Sequence, residues 1–340
     1  MLPALCRAGA PAHPGGKHKN AALRRLTRAD ARALVNGRSI LKRKAVRHLS
    51  LLISQLINGL QTGSVYALVA LGYSMVYGII LLLNFAHGDI IMVGAYTAFY
   101  AMTAFHLHPI VSVVLAILTS TLLGVVIEKV AYTPLRSAPR LSLLITAIGI
   151  SFLLENGAQL LFGADTKSMD VIIPGSVTLG SGITISYTAI VTIAVTVVSM
   201  VALTMLVQKT RLGKAMRAVS EDMGAAQLMG ISLNKTISFT FAVGSALAGI
   251  GSVLYLCAYS QASPTMGSML GLKAFVAAVL GGIGSIPGAM IGGFAIGLLE
   301  ALVAAVGLSV WKDGVVFAIL IFVLLIKPTG ILGHKVTEKV

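Results

Sequence analysis

The sequence predicts an all-α bundle of about eight to ten membrane-spanning helices, and three observations carry that reading. Hydrophobic residues make up 56% of the chain and charged residues only 11%, where soluble domains hold about half and about a quarter; the mean hydropathy is +0.91. Apolar runs of about 20 residues, the length that crosses roughly 30 Å of hydrocarbon as a helix, recur along nearly all of the chain after residue 48. The runs are continuous and do not alternate in ten-residue segments as barrel strands do, and in lipid only helices or closed barrels satisfy every backbone group. An ordinary cytosolic enzyme is excluded.

The chain opens on residues 1–48, which hold 12 Lys/Arg against the single acid Asp30, while the other 292 residues hold 14 basic and 10 acidic side chains. Most of the net charge of +15 therefore sits in one tail. No helix-turn-helix, finger or aromatic-interleaved basic face accompanies it, so nucleic acid is not the expected partner; a basic tail before a membrane domain reports topology or lipid contact. The tail lacks the small-residue cleavage pattern of a secretory signal. It reads as a largely disordered cytoplasmic tail with a short basic helix over 21–35, or as an extension from a start assigned too far upstream. Cys6 and Cys257 supply neither a disulfide framework nor metal-ligand spacing.

Residues 49–340 read as the membrane domain. Its first apolar block, 49–83, is 35 residues long, more than one span and barely two. Counting it once gives three crossings between two basic, cytoplasmic segments, so two short or broken helices are expected, divided between Gly59 and Gly63. Further spans follow at 90–104, 110–128, 141–162, 188–207, 237–258, 270–283, 287–306 and 315–326. The positive-inside rule places the basic loops 129–140 and 209–235, the end after Lys327 and the tail in the cytoplasm. The weakly basic loops 163–187 and 260–268 face outside.

Two interruptions fall within this domain: Asn84-Phe85-Ala86-His87-Gly88-Asp89, and Gly281-Gly282-Ile283-Gly284-Ser285-Ile286-Pro287-Gly288. Broken helices at depth occur where they are buried in protein or line a cavity, and paired breaks mark transport paths; the alternative is a pair of membrane-edge turns with close helix packing. Asn84, His87, Asp89, Gly281, Gly282, Gly284 and Pro287 are thus candidate pathway or break residues. Asp89 reads as a cap for a helix starting near Ile90, and His87 as a structural hydrogen-bonding group or a proton relay. Glu155 and Asn156 sit well inside their span, where an uncompensated charge costs at least about 2.5–3.5 kcal/mol. Glu155 either faces the pore or pairs with a neighbouring helix. Glu128 and Glu300 lie toward span ends, where local pairing or water access is expected. No acid, base and nucleophile cluster, and no catalytic or metal-binding residue is assigned.

The longest cytoplasmic connection, 209–236, reads as helical from Lys214 to Met229, with Gly230 as its stop. Ala225, Ala226 and Gly230 place small side chains on neighbouring turns, a face able to enter a groove in a partner, flanked by the charges of Arg217, Glu221 and Asp222. No Gly-x-x-x-x-Gly-Lys-Ser/Thr run occurs; Gly213-Lys214-Ala215 lacks both the upstream Gly and the Ser/Thr.

This connection resembles the coupling helix of ABC-importer permeases. It departs from their general motif, with Gly224 in the Glu position and no Ile-x-Leu-Pro ending. It is similar instead to the branched-chain amino-acid and ribose-type subfamily, in the Arg217-Ala218-x-x-Glu221-Asp222 run and the later Gly230-Ile231. Gly72-Tyr73-Ser74-Met75-Val76-Tyr77-Gly78-Ile79-Ile80, the Asn84 to Asp89 run, Lys273-Ala274-Phe275 through Ala289, and Pro328-Thr329-Gly330-Ile331-Leu332-Gly333 resemble the LivH-type permeases of Leu/Ile/Val importers, from about residue 50 to the end. The resemblance implies a subunit of the bacterial inner membrane that moves branched-chain amino acids inward. It implies a second, different permease, two ATPase subunits docking on Arg217 to Ile231, and an extracytoplasmic binding protein, with no cofactor and no ATP hydrolysis of its own. A permease for urea, short amides or a sugar is the runner-up. A secondary transporter or channel would require charges in a relay or ring, and of these Glu155 alone is central.

Overall fold

In the computed structural model, residues 50–79, 84–136, 138–179, 183–327 and 329–333 are described, and the expectations for the tail lie outside them. From Leu52 onward the described residues form one compact unit. Its helices are α1 (Ser50–Ile79), α2 (His87–Thr103), α3 (Pro109–Ile127, continued by the π turn Glu128–Tyr132), α4 (Arg140–Phe162), α5 (Tyr187–Lys209), α6 (Arg211–Glu221), α7 (Met223–Leu228), α8 (Leu233–Tyr259), α9 (Met266–Gly281), α10 (Ile286–Ala305) and α11 (Lys312–Ile326). Among the described residues seven helices are long and apolar enough to cross a membrane; α2 and α9, 17 and 16 residues long, complete the bundle.

The first apolar block corrects the sequence expectation: it is one continuous helix of 30 residues, unbroken at Gly59 and Gly63. Those glycines serve packing. A Cβ at Gly63 would lie 2.9 Å from the Gly293 carbonyl oxygen, and one at Gly59 would lie 2.5 Å from the Ala301 Cβ. Gly59, Gly63 and Ala67 on α1 therefore face Ala301, Gly297 and Gly293 on α10, two antiparallel rows of small residues at four-residue spacing that let backbones touch. Propensity alone reads such glycines as helix breakers; in a bilayer the close approach outweighs that cost.

A second small-residue row joins α3 to α8. Ser112, Ala116, Ser120 and Gly124 are buried, and Gly249 of α8 packs on Ile117 and Ala116. Ser120 Oγ also donates to the Ile90 carbonyl of α2 at 3.3 Å. The outward faces of α3, α4, α5 and α11 carry exposed Leu118, Leu122, Leu153, Val198, Ile321 and Phe322, apolar surface suited to lipid. The two weakly basic loops meet at one end of the bundle: β1 (Lys167–Ser168) pairs antiparallel with β4 (Gln261–Ala262), beside the hairpin of β2 (Ser176–Leu179) and β3 (Ile183–Ser186).

Replacing Gly297 by Leu should cost about 1–3 kcal/mol by overpacking, whereas Gly149→Leu on α4, where a Cβ meets nothing within 4 Å, should leave thermal unfolding of the purified protein unchanged.

Candidate functional site

The break before α2 is buried: Asn84, His87 and Asp89 are each 2% exposed or less. Asn84 Oδ1 accepts from the Tyr132 hydroxyl at 3.0 Å, a reach set by the π turn that ends α3. His87 packs edge-on against Tyr73, with ring centroids 4.9 Å apart. Asp89 departs from its expected capping role. The helix begins two residues earlier, at His87, with Ala86 at the cap position and no side-chain cap bond, so Asp89 stands within the first turn and not at the cap. Both Asp89 oxygens, Asn84 Nδ2 and His87 Nε2 lack hydrogen-bond partners.

On α4 the two polar residues diverge. Glu155 turns inward, 8% exposed, and accepts a bond from the Ser268 hydroxyl of α9. Asn156 is exposed and donates to the Phe152 carbonyl at 2.7 Å, the local bond that a helical amide makes to limit its cost in lipid.

The second break is a tight turn between α9 and α10. Gly282 and Gly284 have φ of 108° and 89°, a region open to glycine. Pro287 stands in the first turn of α10, and Ser285 caps it by accepting from the Gly288 N–H at 3.3 Å. The exposed carbonyls ending α9 are taken by the C-terminal segment: Ile331 and Leu332 N–H donate to Leu280 and Gly281 at 2.9 Å. Gly284 N–H donates to Ser74 Oγ of α1 at 3.0 Å.

The connection 209–236 is not the single helix expected. It divides into α6 and α7 at Asp222, whose φ of −156° and ψ of 111° are extended and whose carboxylate accepts from the Ala225 N–H at 2.9 Å. An N-cap aspartate inside a helical pattern starts a new helix. α6 is amphipathic, burying Met216 and Val219 and leaving Arg217 outward, with Nη2 donating to the Gln208 carbonyl at 3.3 Å. Met216, Arg217 and Ser220 line a small pocket of about 90 Å³ together with Ser74, Gly78 and Gly284, so the connection abuts both α1 and the second break. The small face is not presented whole. Ala226 is buried, Ala225 exposed, and Gly230 lies past the helix end at φ 81°, where Ile231 N–H returns to the Ala226 carbonyl at 3.0 Å. Glu221 is exposed at the end of α6. The most prominent side chains are Leu228 and Met229, 91% and 83% exposed. Two large apolar residues before Gly230 were the legible signal for them.

Sequence reasoning also missed an ion cluster. Lys273 Nζ of α9 lies 2.8 Å from Glu300 Oε1 of α10 and 2.7 Å from Asp313 Oδ1 of α11. Tyr66 of α1 donates to Glu300 Oε2 at 3.0 Å. A lysine amid the apolar run of α9 was the available sign. Glu300 does find the local pairing expected of it. Glu128 is fully buried, paired with Arg136 and accepting from Ser238 of α8 at 2.6 Å.

The family model for the branched-chain amino acid transport system permease component matches residues 55–324. The chain belongs to that family. Among relatives of this permease, the high-affinity branched-chain amino acid transport system permease protein BraD of Pseudomonas aeruginosa is 45% identical over 300 residues, covering 85% of this chain and 98% of the relative. The LivH permease protein of Escherichia coli K12 is 43% identical over 301 residues, covering 85% and 97%. A probable LivH of Methanocaldococcus jannaschii is 30% identical over 283 residues, covering 78% and 88%. The permease is thus a multi-pass membrane protein with a transport role.

In this permease, Lys273→Met should destabilise the fold by about 3–5 kcal/mol, because it leaves two carboxylates without their cation; adding Glu300→Gln and Asp313→Asn should restore most of the loss, read as detergent-solubilised protein surviving a thermal ramp.

Proposed function

We propose that this permease is the membrane-spanning subunit of an ATP-driven ABC importer that carries branched-chain amino acids into the cytoplasm. The observation that carries the reading is the α6–α7 segment, which holds an apolar knob, Leu228 and Met229, outside the bundle while its inner face bears on α1 and the second break. Apolar side chains exposed to this degree beside a polar helix face suit burial in a partner. The partners are two ATPase subunits docking there, a second and different permease completing the pathway, and an extracytoplasmic binding protein delivering the amino acid. The subunit itself is not an enzyme and takes no cofactor. Its residues 1–48 are a basic tail ahead of the permease domain.

The docking step works by contact. Arg217, Glu221 and Asp222 set the orientation of the segment, Ala225 and Gly230 leave room beside the knob, and Ala226 and Ile231 anchor it to the bundle. Movement of the ATPases reaches Met216, and from there Ser74 and the Gly284 turn, so the stretch Gly281, Gly282, Gly284 and Pro287 transmits motion. The buried break at Asn84, His87 and Asp89, with Glu155 and Asn156, belongs to the pathway.

The setting is the bacterial inner membrane, with the coupling segment, the Arg136 loop and the segment after Lys327 in the cytoplasm and the short strands outside. This orientation puts the Gly59 end of α1 outside: Gly59 packs on Ala301, and Thr62 lies 3.2 Å from the Tyr259 hydroxyl. It reverses the side expected for the start of α1. That expectation rested on the basic residues of the tail, and the first helix does not always set orientation.

The test is uptake of radiolabelled leucine by proteoliposomes holding this permease with its partner permease, ATPases and binding protein. ATP-dependent uptake is expected, with Leu228→Asp abolishing it while membrane insertion persists. Uptake without ATP, or driven by an ion gradient, would overturn the assignment.

A further inference from the structure

Two carboxylates inside the bundle, Asp89 of α2 and Glu155 of α4, converge on one turn of a third helix. A Cβ at Gly267 would lie 2.5 Å from Asp89 Oδ1, and the next residue, Ser268, donates its hydroxyl to Glu155. That turn is the start of α9, whose Thr265 cap makes no side-chain bond, so the positive end of the helix dipole lies beside the acids. Gly88 permits the approach, with its Cα side against Gly267 and Gly271.

Asp89 is fully buried, and neither of its oxygens has a hydrogen-bond partner. Ser151 of α4 interacts with the carboxylate without reaching hydrogen-bond geometry. No cation among the described residues pairs with either acid; the ion pairs there are those of Arg136 and Lys273. A buried carboxyl group without a donor is an unsatisfied acceptor, and a cationic N–H donor would satisfy it. Glu155 retains slight exposure, and its neighbour Asn156 opens onto the uncovered face of α4.

We propose that Asp89 and Glu155, held against the first turn of α9, bind the α-ammonium group of the amino acid in transit. This rests on the transport reading above. A zwitterionic amino acid brings one compact cation with three N–H donors, which matches two carboxylates and the Ser268 and Ser151 hydroxyls. Its own carboxylate stays clear of the acids, and the side chain meets apolar helix surface.

The experiment uses the complete importer in proteoliposomes and measures leucine moved per ATP hydrolysed, beside ATPase stimulation by the leucine-loaded binding protein. Loss of one charge-assisted bond is worth about ten- to a hundredfold in affinity, so Asp89→Asn and Glu155→Gln should each cut leucine per ATP by about tenfold or more while stimulation persists. Glu155→Asp should retain most of the ratio. An unchanged ratio in both neutral variants would overturn the proposal. So would parallel loss of uptake, ATPase stimulation and thermal stability, the result of a purely structural role. A wild-type importer that moves no leucine would instead overturn the transport reading, a result visible before any variant is made.

Discussion

Backbone contact between α1 and α10 sets the position of most functional groups in this permease. In lipid, burial of apolar surface gains little, because the tails are as apolar as leucine, and helices hold together through dispersion contact and polar bonds. Two rows of Gly and Ala remove the side chains that would keep α1 and α10 apart. Once the helices touch, Tyr66 falls within reach of Glu300, and the far end of α1 brings Ser74 to the Gly284 turn. The same packing that supplies cohesion therefore also carries contacts between the 209–236 connection and the core.

Polar pairing then fixes what contact alone leaves free. Lys273 gathers carboxylates from α10 and α11, and α11 offers little buried surface of its own, so this cation supplies a large part of its attachment. Glu128 does the equivalent at the basic end, joining the π turn of α3, Arg136 and Ser238. Both networks are fully formed with partners on other helices. The Asp89 and Glu155 pair differs in having acids and hydroxyls but no cation, which is why it reads as a place for something that comes and goes.

Span positions were legible because composition and length carry them: apolar runs ended at charged or Pro/Gly loops, and the helices from α3 onward fall within a few residues of the expected bounds. Glycine was where the reading went astray. In α1 the same residue type that marks turns near Gly282 marks a packing seam at Gly59 and Gly63, and only the opposing row on α10 distinguishes them. The helical connection 209–236 was legible in its polarity and length, but its division at Asp222 was not, since capping propensity is weak against a long helical pattern. Its small residues pointed to docking, while the burial of Ala226 depends on packing against α8 that no local pattern encodes. The Lys273 cluster joins Glu300 to Tyr66, 234 positions away, so sequence spacing gave no warning of it.

The exposed pair Leu228 and Met229 has a further consequence for the cell. Two oily side chains standing in water at the membrane surface are tolerable only while a partner covers them. Under the docking proposed above, a copy synthesised in excess of its ATPases would keep that patch bare, where chaperones and membrane proteases recognise unfolded or unassembled chains by the same chemistry. The exposed pair would then also mark surplus subunits, tying the abundance of the permease to that of its proposed partners.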